Sequence, residues 1–90
     1  MIVYGIEDCI HCRQAKAALE SSGVSFEFRA LGERVQWLKE FLALRDSLSL
    51  YDEAKTGGYI GIPTFVLSNG VITLYLDQAL AAVEQNKHAG

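Results

Sequence analysis

The chain has 90 residues, half of them hydrophobic, with eleven acidic against eight basic side chains and a formal net charge of −3. This length predicts a single domain over residues 1–90, since domains commonly hold roughly 100–150 residues. High apolar content and low net charge exclude intrinsic disorder, the acidic balance excludes a duplex-binding surface, and two cysteines cannot build a disulfide scaffold.

No apolar run approaches the ~18 residues of a membrane-spanning helix, so no membrane association is expected. The opening Met1-Ile2-Val3-Tyr4-Gly5 has neither the basic region nor the apolar stretch of a secretion signal. A cytoplasmic address is therefore expected, where paired thiols are usually catalytic or metal-binding.

Ile2-Val3-Tyr4, ended by Gly5, reads as a buried strand. From Cys9 to Ser22 the period turns helical, with Cys12, Ala15, Ala18 and Leu19 inward and Gly23 as the stop. Val24, Phe26 and Phe28 alternate with Ser25, Glu27 and Arg29, which predicts a half-buried strand over Val24–Arg29. A second helix is expected from Glu33 to about Leu44, with Val35, Leu38, Phe41, Leu42 and Arg45 repeating at three and four as its core stripe and Trp37 and Leu44 widening the apolar face. Trp37 lies off that stripe. Leu48, Tyr51 and Ala54 suggest a further short helix, broken by Thr56-Gly57-Gly58.

Thr64–Leu67 and Val71–Tyr75 are strands joined at Asn69-Gly70, the favoured dipeptide of a two-residue hairpin turn. Asp77 is expected to cap a last helix carrying Leu80 and Val83. The order β-α-β-α-(α)-β-β-α predicts an α/β fold: a small mixed sheet, with a parallel β–α–β unit and a hairpin, covered by helices on both faces.

Cys9-Ile10-His11-Cys12 falls between the first strand and the first helix. Unpaired backbone N–H groups and the dipole at a helix N-terminus stabilise a thiolate, the nucleophilic form of cysteine. Two spacer residues let the second thiol reach the first without unwinding the helix. The same spacing occurs as half of a zinc site. There is no second cysteine pair, and His88 is the only histidine besides His11, so a closed four-ligand site within one chain is disfavoured. Ile62-Pro63 stands immediately before a strand, where a missing N–H is tolerated. Base rates alone favour a trans bond, because only about 5–6% of X–Pro bonds in folded proteins are cis.

These features together resemble a glutaredoxin. The likeness is closest over Val3–Phe28, through Tyr4, the cysteine pair, Ala15-Lys16, Leu19 and Gly23-Val24-Ser25-Phe26. It resumes at Gly61-Ile62-Pro63-Thr64-Phe65-Val66 and runs more weakly to Asp77. The resemblance implies a thioredoxin-like fold of glutaredoxin topology with a four-stranded mixed sheet. It implies that Cys9 attacks a disulfide, that Cys12 resolves it, and that Pro63 is cis and faces the pair. Ile10, His11, Ile62, Pro63 and Asp77 are then the candidate substrate- or glutathione-contacting residues, with the Ile62 backbone pairing to an extended substrate segment. No metal site and no bound cofactor are implied. Glutathione or a thioredoxin reductase would supply electrons to a monomer acting on protein disulfides or glutathione mixed disulfides.

The departures from the glutaredoxin pattern concern glutathione. Ile6 stands where such proteins place a lysine for the glycine carboxylate. Thr73-Leu74-Tyr75-Leu76-Asp77 stands in for a Gly-Gly-x-Asp-Asp stretch, so that only Asp77 survives. Each lost charge-assisted hydrogen bond is worth roughly 1.5–3 kcal/mol, so inefficient glutathione use is expected. The segment from about Arg29 to Tyr59 is longer than in a minimal glutaredoxin, and Lys39–Asp46 resembles the small bacterial glutaredoxin-related subgroup.

Glu7 and Asp8 precede Cys9 and are expected to raise its pKa against the helix N-terminus, with Arg13 and a protonated His11 offsetting them. His11 otherwise reads as a solvated loop residue. Trp37, Leu38 and Phe41 read as core rather than as a groove. Tyr51 and Tyr59 either flank the substrate cleft or pack against the insert. Arg45-Asp46 reads as an exposed charged pair, and Glu33 and Arg34 as a solvated first turn. Two other functions remain open: a metal or iron–sulfur carrier using the cysteines of two chains, and a non-catalytic interaction module.

Overall fold

The computed structural model describes residues 1–89, with side chains described through residue 85; the side chain of His88 lies outside the described residues. Strand β1 (Ile2–Gly5) leads into helix α1 (Ile10–Ser22), and β2 (Glu27–Ala30) returns parallel to β1. Helix α2 (Val35–Ser47) follows, then a 3-10 turn (Ser49–Tyr51) running into the short helix α3 (Asp52–Gly57). Strands β3 (Thr64–Val66) and β4 (Ile72–Thr73) form the hairpin, and α4 (Leu76–Ala89) closes the chain. The sheet is mixed, in the order β2-β1-β3-β4, with β1/β3 and β3/β4 antiparallel.

The central strand β1 alternates its side chains between two apolar clusters, as the period of a strand requires. Val3 packs with Ala15, Leu19, Phe65, Leu67 and Ala79 on the face covered by α1 and α4. Tyr4 packs with Leu31, Phe41 and Tyr51 on the face covered by α2 and the 3-10 turn. Both faces of the sheet are covered, as expected. Tyr4 also accepts a hydrogen bond from Arg29 Nη1 (3.2 Å) and donates to Glu40 Oε1 (2.9 Å), so its hydroxyl ties β1 to β2 and α2. Burial, first of all, raises its pKa.

Helix α1 stops where the sequence indicates. Gly23 takes φ 78°, a left-handed geometry that glycine adopts without a Cβ penalty, and its N–H donates to Glu20 O at 3.2 Å.

Four expectations are corrected. The second strand begins at Glu27, not Val24, since its register pairs Ile2 with Glu27; Val24 and Phe26 instead pack from the approach onto the first cluster. The hairpin has a three-residue loop, Ser68-Asn69-Gly70, because Leu67 N–H bonds Val71 O (2.8 Å) and Gly70 N–H bonds Leu67 O (2.9 Å). Gly70, at φ 86°, occupies the left-handed position that follows a tight turn, so the Asn-Gly pair spans the end of the loop, not its centre. Asp77 lies inside the first turn of α4 and not at its cap; its Oδ1 accepts from Gln78 N–H at 3.0 Å, and Thr73 Oγ1 accepts from Tyr75 N–H at 3.1 Å. On α2, only Phe41 of the expected stripe is buried; Val35 is 70% exposed, and Leu38 and Leu42 are also exposed. Phe41, with half-buried Leu44, meets Tyr4, Leu31 and Tyr51 and covers this face of the sheet.

Candidate functional site

The segment between β1 and α1 makes a turn in which Cys9 N–H donates to Ile6 O at 3.1 Å. Cys9 is extended (φ −88°, ψ 125°) and occupies the cap position of α1, with Arg13 N–H bonded to its carbonyl at 3.0 Å. Cys12 sits one turn in and is fully buried, whereas Cys9 is partly exposed; both thiols are free. Gly5, at the end of β1, makes room for this: a Cβ there would stand 2.7 Å from Cys12 Sγ and 3.0 Å from the Phe28 ring.

The two thiols are driven apart in acidity. Burial works against ionisation of Cys9, but the backbone N–H and thiol of Cys12, the backbone N–H of His11 and the Arg13 charge outweigh it, and its pKa is lowered. The upward push expected from Glu7 and Asp8 does not prevail. Glu7 is ion-paired to Lys16 at 3.2 Å, and Lys16 also lies over the Phe28 ring at 4.4 Å. Cys12 is pushed up to about 11, chiefly by burial and further by its hydrogen bond to Cys9 and the charges of Cys9 and Glu7.

The Ile62-Pro63 bond is cis, against the base rate and as the glutaredoxin resemblance implies. Pro63 is buried. One cavity brings together Asp8, Cys9, His11, Tyr59 and Ile62; a second brings together His11, Ile62, Pro63, Tyr75 and Asp77. His11 and Ile62 are common to both, so these candidates form one continuous surface. Ile10, exposed at the first position of α1, lines neither cavity.

The loop bearing Ile62 and Pro63 is held from two sides. Tyr51, fully buried, donates from its hydroxyl to Thr64 Oγ1 (2.8 Å), which donates in turn to Gly61 O (2.7 Å). Burial raises the pKa of Tyr51. Its ring also meets Phe41 edge-on at 6.0 Å and leaves no space for a Cβ on Gly61, which has φ 97°. Arg45 bonds the same loop through Nε to Ile60 O (2.8 Å) and Nη2 to Tyr59 O (3.0 Å). Arg45 is thus a loop anchor and not merely an exposed charge. The choice left open for the tyrosines is divided between them: Tyr51 packs inside, whereas Tyr59 is 71% exposed and flanks the cleft.

Sequence reasoning did not identify Gly5 or Arg45 as site residues. Gly5 carried a signal, since a glycine ending a strand just before a helical cysteine suggests close backbone approach. Arg45 carried none, because its partners are backbone carbonyls. Glu33 and Arg34 are exposed as expected, with Arg34 lying over Trp37 at 5.1 Å. Among the described residues, no three His, Cys, Asp or Glu side chains gather as metal ligands, and no helix is long and apolar enough to cross a membrane.

No protein-family model matches the chain, and no solved structure matches it. It is similar to an uncharacterized protein of Haemophilus influenzae, 34% identical over 77 residues that span 86% of this chain and 90% of that protein. At that identity and coverage, the chain belongs to the same family as that uncharacterized Haemophilus influenzae protein.

Proposed function

We propose that this protein is a thiol–disulfide oxidoreductase, a glutaredoxin-like chain of thioredoxin-like fold in which Cys9 attacks and Cys12 resolves. The observation that carries the reading is the asymmetry of the two thiols. Cys9 is reachable and of lowered pKa at a helix N-terminus; Cys12 is buried behind it with its pKa pushed up. The parallel β–α–β unit, the hairpin and the cis Ile62-Pro63 bond support the fold assignment.

In the first step the Cys9 thiolate attacks one sulfur of a substrate disulfide. A bond forms between Cys9 Sγ and that sulfur, the substrate S–S bond breaks, and the second substrate sulfur leaves as a thiolate and takes up a proton. In the second step Cys12, deprotonated, attacks Cys9 Sγ; a Cys9–Cys12 disulfide forms and the remaining substrate sulfur departs as a thiol. The substrate gains two electrons, which an external thiol or dithiol reductant, glutathione or a thioredoxin reductase, restores to the pair. Two influences that hold the Cys12 pKa up are the Cys9 charge and the Cys9 hydrogen bond. Both disappear once Cys9 is in a mixed disulfide, so Cys12 becomes more acidic at the step that needs it. Glutathione is a poor fit: Ile6 and Thr73-Leu74 replace its usual contacts, and Asp8 brings a negative charge into the Cys9 cavity.

The test is to incubate the Cys12→Ser variant with a disulfide-containing protein such as insulin and weigh the products. A covalent adduct through Cys9, absent in Cys9→Ser, is the expected result, together with catalytic insulin reduction by the wild type with dithiothreitol. An inert wild type with no adduct in Cys12→Ser overturns the reading.

A further inference from the structure

The face of α2 expected to be core instead opens a groove. Leu38, Leu42 and Phe41 from the helix, with Ile6, Leu31 and Ile60, line a hollow of about 540 Å³. This hollow shares Ile6, Gly58, Tyr59 and Ile60 with the cavity that holds Cys9, so the apolar surface runs unbroken to the candidate nucleophile. Large exposed apolar side chains line that path: Leu38, Leu42, Tyr59 and Ile60. Apolar side chains left exposed together in this way mark a binding surface more often than a monomer's ordinary exterior.

The charges on the path narrow the occupant. Among the described residues no lysine lines either cavity, Asp8 is the carboxylate beside Cys9, and Arg45 has Nε and Nη2 committed to backbone carbonyls of the groove wall. A small anionic thiol compound bearing carboxylates and no apolar side chain gains little here. A polypeptide with a large apolar residue beside its half-cystine gains burial of that side chain.

We propose that the α2 groove is a substrate-specificity site, taking a large apolar side chain adjacent to the reacting cysteine of a protein disulfide. This inference rests on the dithiol reading above and names its substrate class. Seating the anchor in the groove holds the neighbouring disulfide over Cys9, so selectivity is read in kcat/KM for the attack step.

The experiment uses two synthetic peptides, each with one cysteine capped as a mixed disulfide with 2-mercaptoethanol, flanked by leucine in one and glycine in the other. Reduction by the wild-type protein with dithiothreitol as the terminal donor should favour the leucine peptide by roughly tenfold, the scale of burying one large aliphatic side chain. Leu42→Glu and, separately, Leu38→Ser should bring the leucine-to-glycine ratio toward one; the ratio is the readout, so a general loss of activity cancels. A wild-type ratio near one, a ratio that survives both substitutions, or faster turnover of glutathione disulfide than of either peptide overturns the proposal.

Amide shifts on titrating the leucine peptide with its cysteine replaced by serine supply a readout independent of redox chemistry. Movement at Leu38, Leu42 and Tyr59 upholds the groove even if the protein reduces nothing, in which case the dithiol reading alone fails. No movement overturns the groove. Movement of the same amides with protein concentration alone gives the groove to a second copy of the chain and also overturns the proposal.

Discussion

The sulfur of Cys12 rests against the backbone of Gly5, with space for a hydrogen there and not for a methyl group, which would stand 2.7 Å from Sγ. The contact couples the end of the central strand to the buried thiol. Gly5→Ala forces the α1 N-terminus or the Phe28 ring to yield. Overpacking of this kind costs about 1–3 kcal/mol, and a lowered urea midpoint with unchanged slope is the expected outcome. Gly23→Ala, where nothing lies within 4 Å of the added Cβ, is strained by its φ of 78° and not by crowding, so it should leave Cys12 reactivity alone.

Cys9 should alkylate first and at lower pH than Cys12. Because the Cys12 thiol helps hold the Cys9 thiolate, Cys12→Ala should raise the Cys9 pKa, while Cys12→Ser, which keeps a donor, should raise it less. Iodoacetamide rates followed against pH measure this. A Cys9 profile that moves downward in Cys12→Ala contradicts the assigned cause.

Stability should fall on the alkaline side. Cys12, raised to about 11, binds its proton more tightly in the folded chain than in the unfolded one, and Tyr4 and Tyr51 are raised in the same sense. The unfolded state then holds fewer protons than the native state, so the unfolding free energy decreases as pH rises. The Cys12 contribution is fully present below the unfolded thiol pKa of about 8.5 and is lost as pH climbs through about 11. Cys9 acts oppositely: its lowered pKa gives stability that is present above the unfolded value and lost as pH falls through the folded one. Urea midpoints at about pH 8 and about pH 10.5 should show the decline, and Cys12→Ser should reduce it.

Arg45→Ala should free the loop that bears Ile62 and Pro63. Two guanidinium hydrogen bonds to Tyr59 and Ile60 carbonyls are lost, with a cost of about 1–2 kcal/mol because the site is partly exposed. Hydrogen exchange at Gly58–Gly61 should quicken while α1 and the sheet keep their protection. Arg45→Lys should rescue only part of this, since an ammonium does not reproduce the planar fork that bonds both carbonyls.

Tyr51→Phe keeps the edge-on contact with Phe41 and removes only the hydroxyl that donates to Thr64 Oγ1. A loss of about 1 kcal/mol is expected by urea denaturation. Gly61→Ala should be more damaging, because its Cβ would meet the Tyr51 ring at 2.8 Å in a backbone of φ 97°.

Much of this molecule was legible in local signals. The helical period from Cys9, the Gly23 stop and the apolar run Ile2-Val3-Tyr4 report interactions within a few residues, so they specify α1, its end and a buried β1 strand. The position of Cys9 and Cys12 at a helix start follows from the same reading. The errors fell where a distant element decides. Leu38 and Leu42 have the period of a core stripe, yet they line a groove because Leu31, Phe41 and Tyr51 together fill the space above Tyr4. Asn69-Gly70 has the composition of a two-residue turn, but the pairing of Phe65 with Thr73 sets a three-residue loop. Periodicity states which side chains share a face and not how much sheet lies beneath them. The amino-acid sequence by itself determined the order of elements and which two sulfurs stand at a helix N-terminus. Only the tertiary structure decided that Tyr51 and Arg45 hold the proline loop and that apolar surface leads away from Cys9, because those contacts join residues far apart in the chain.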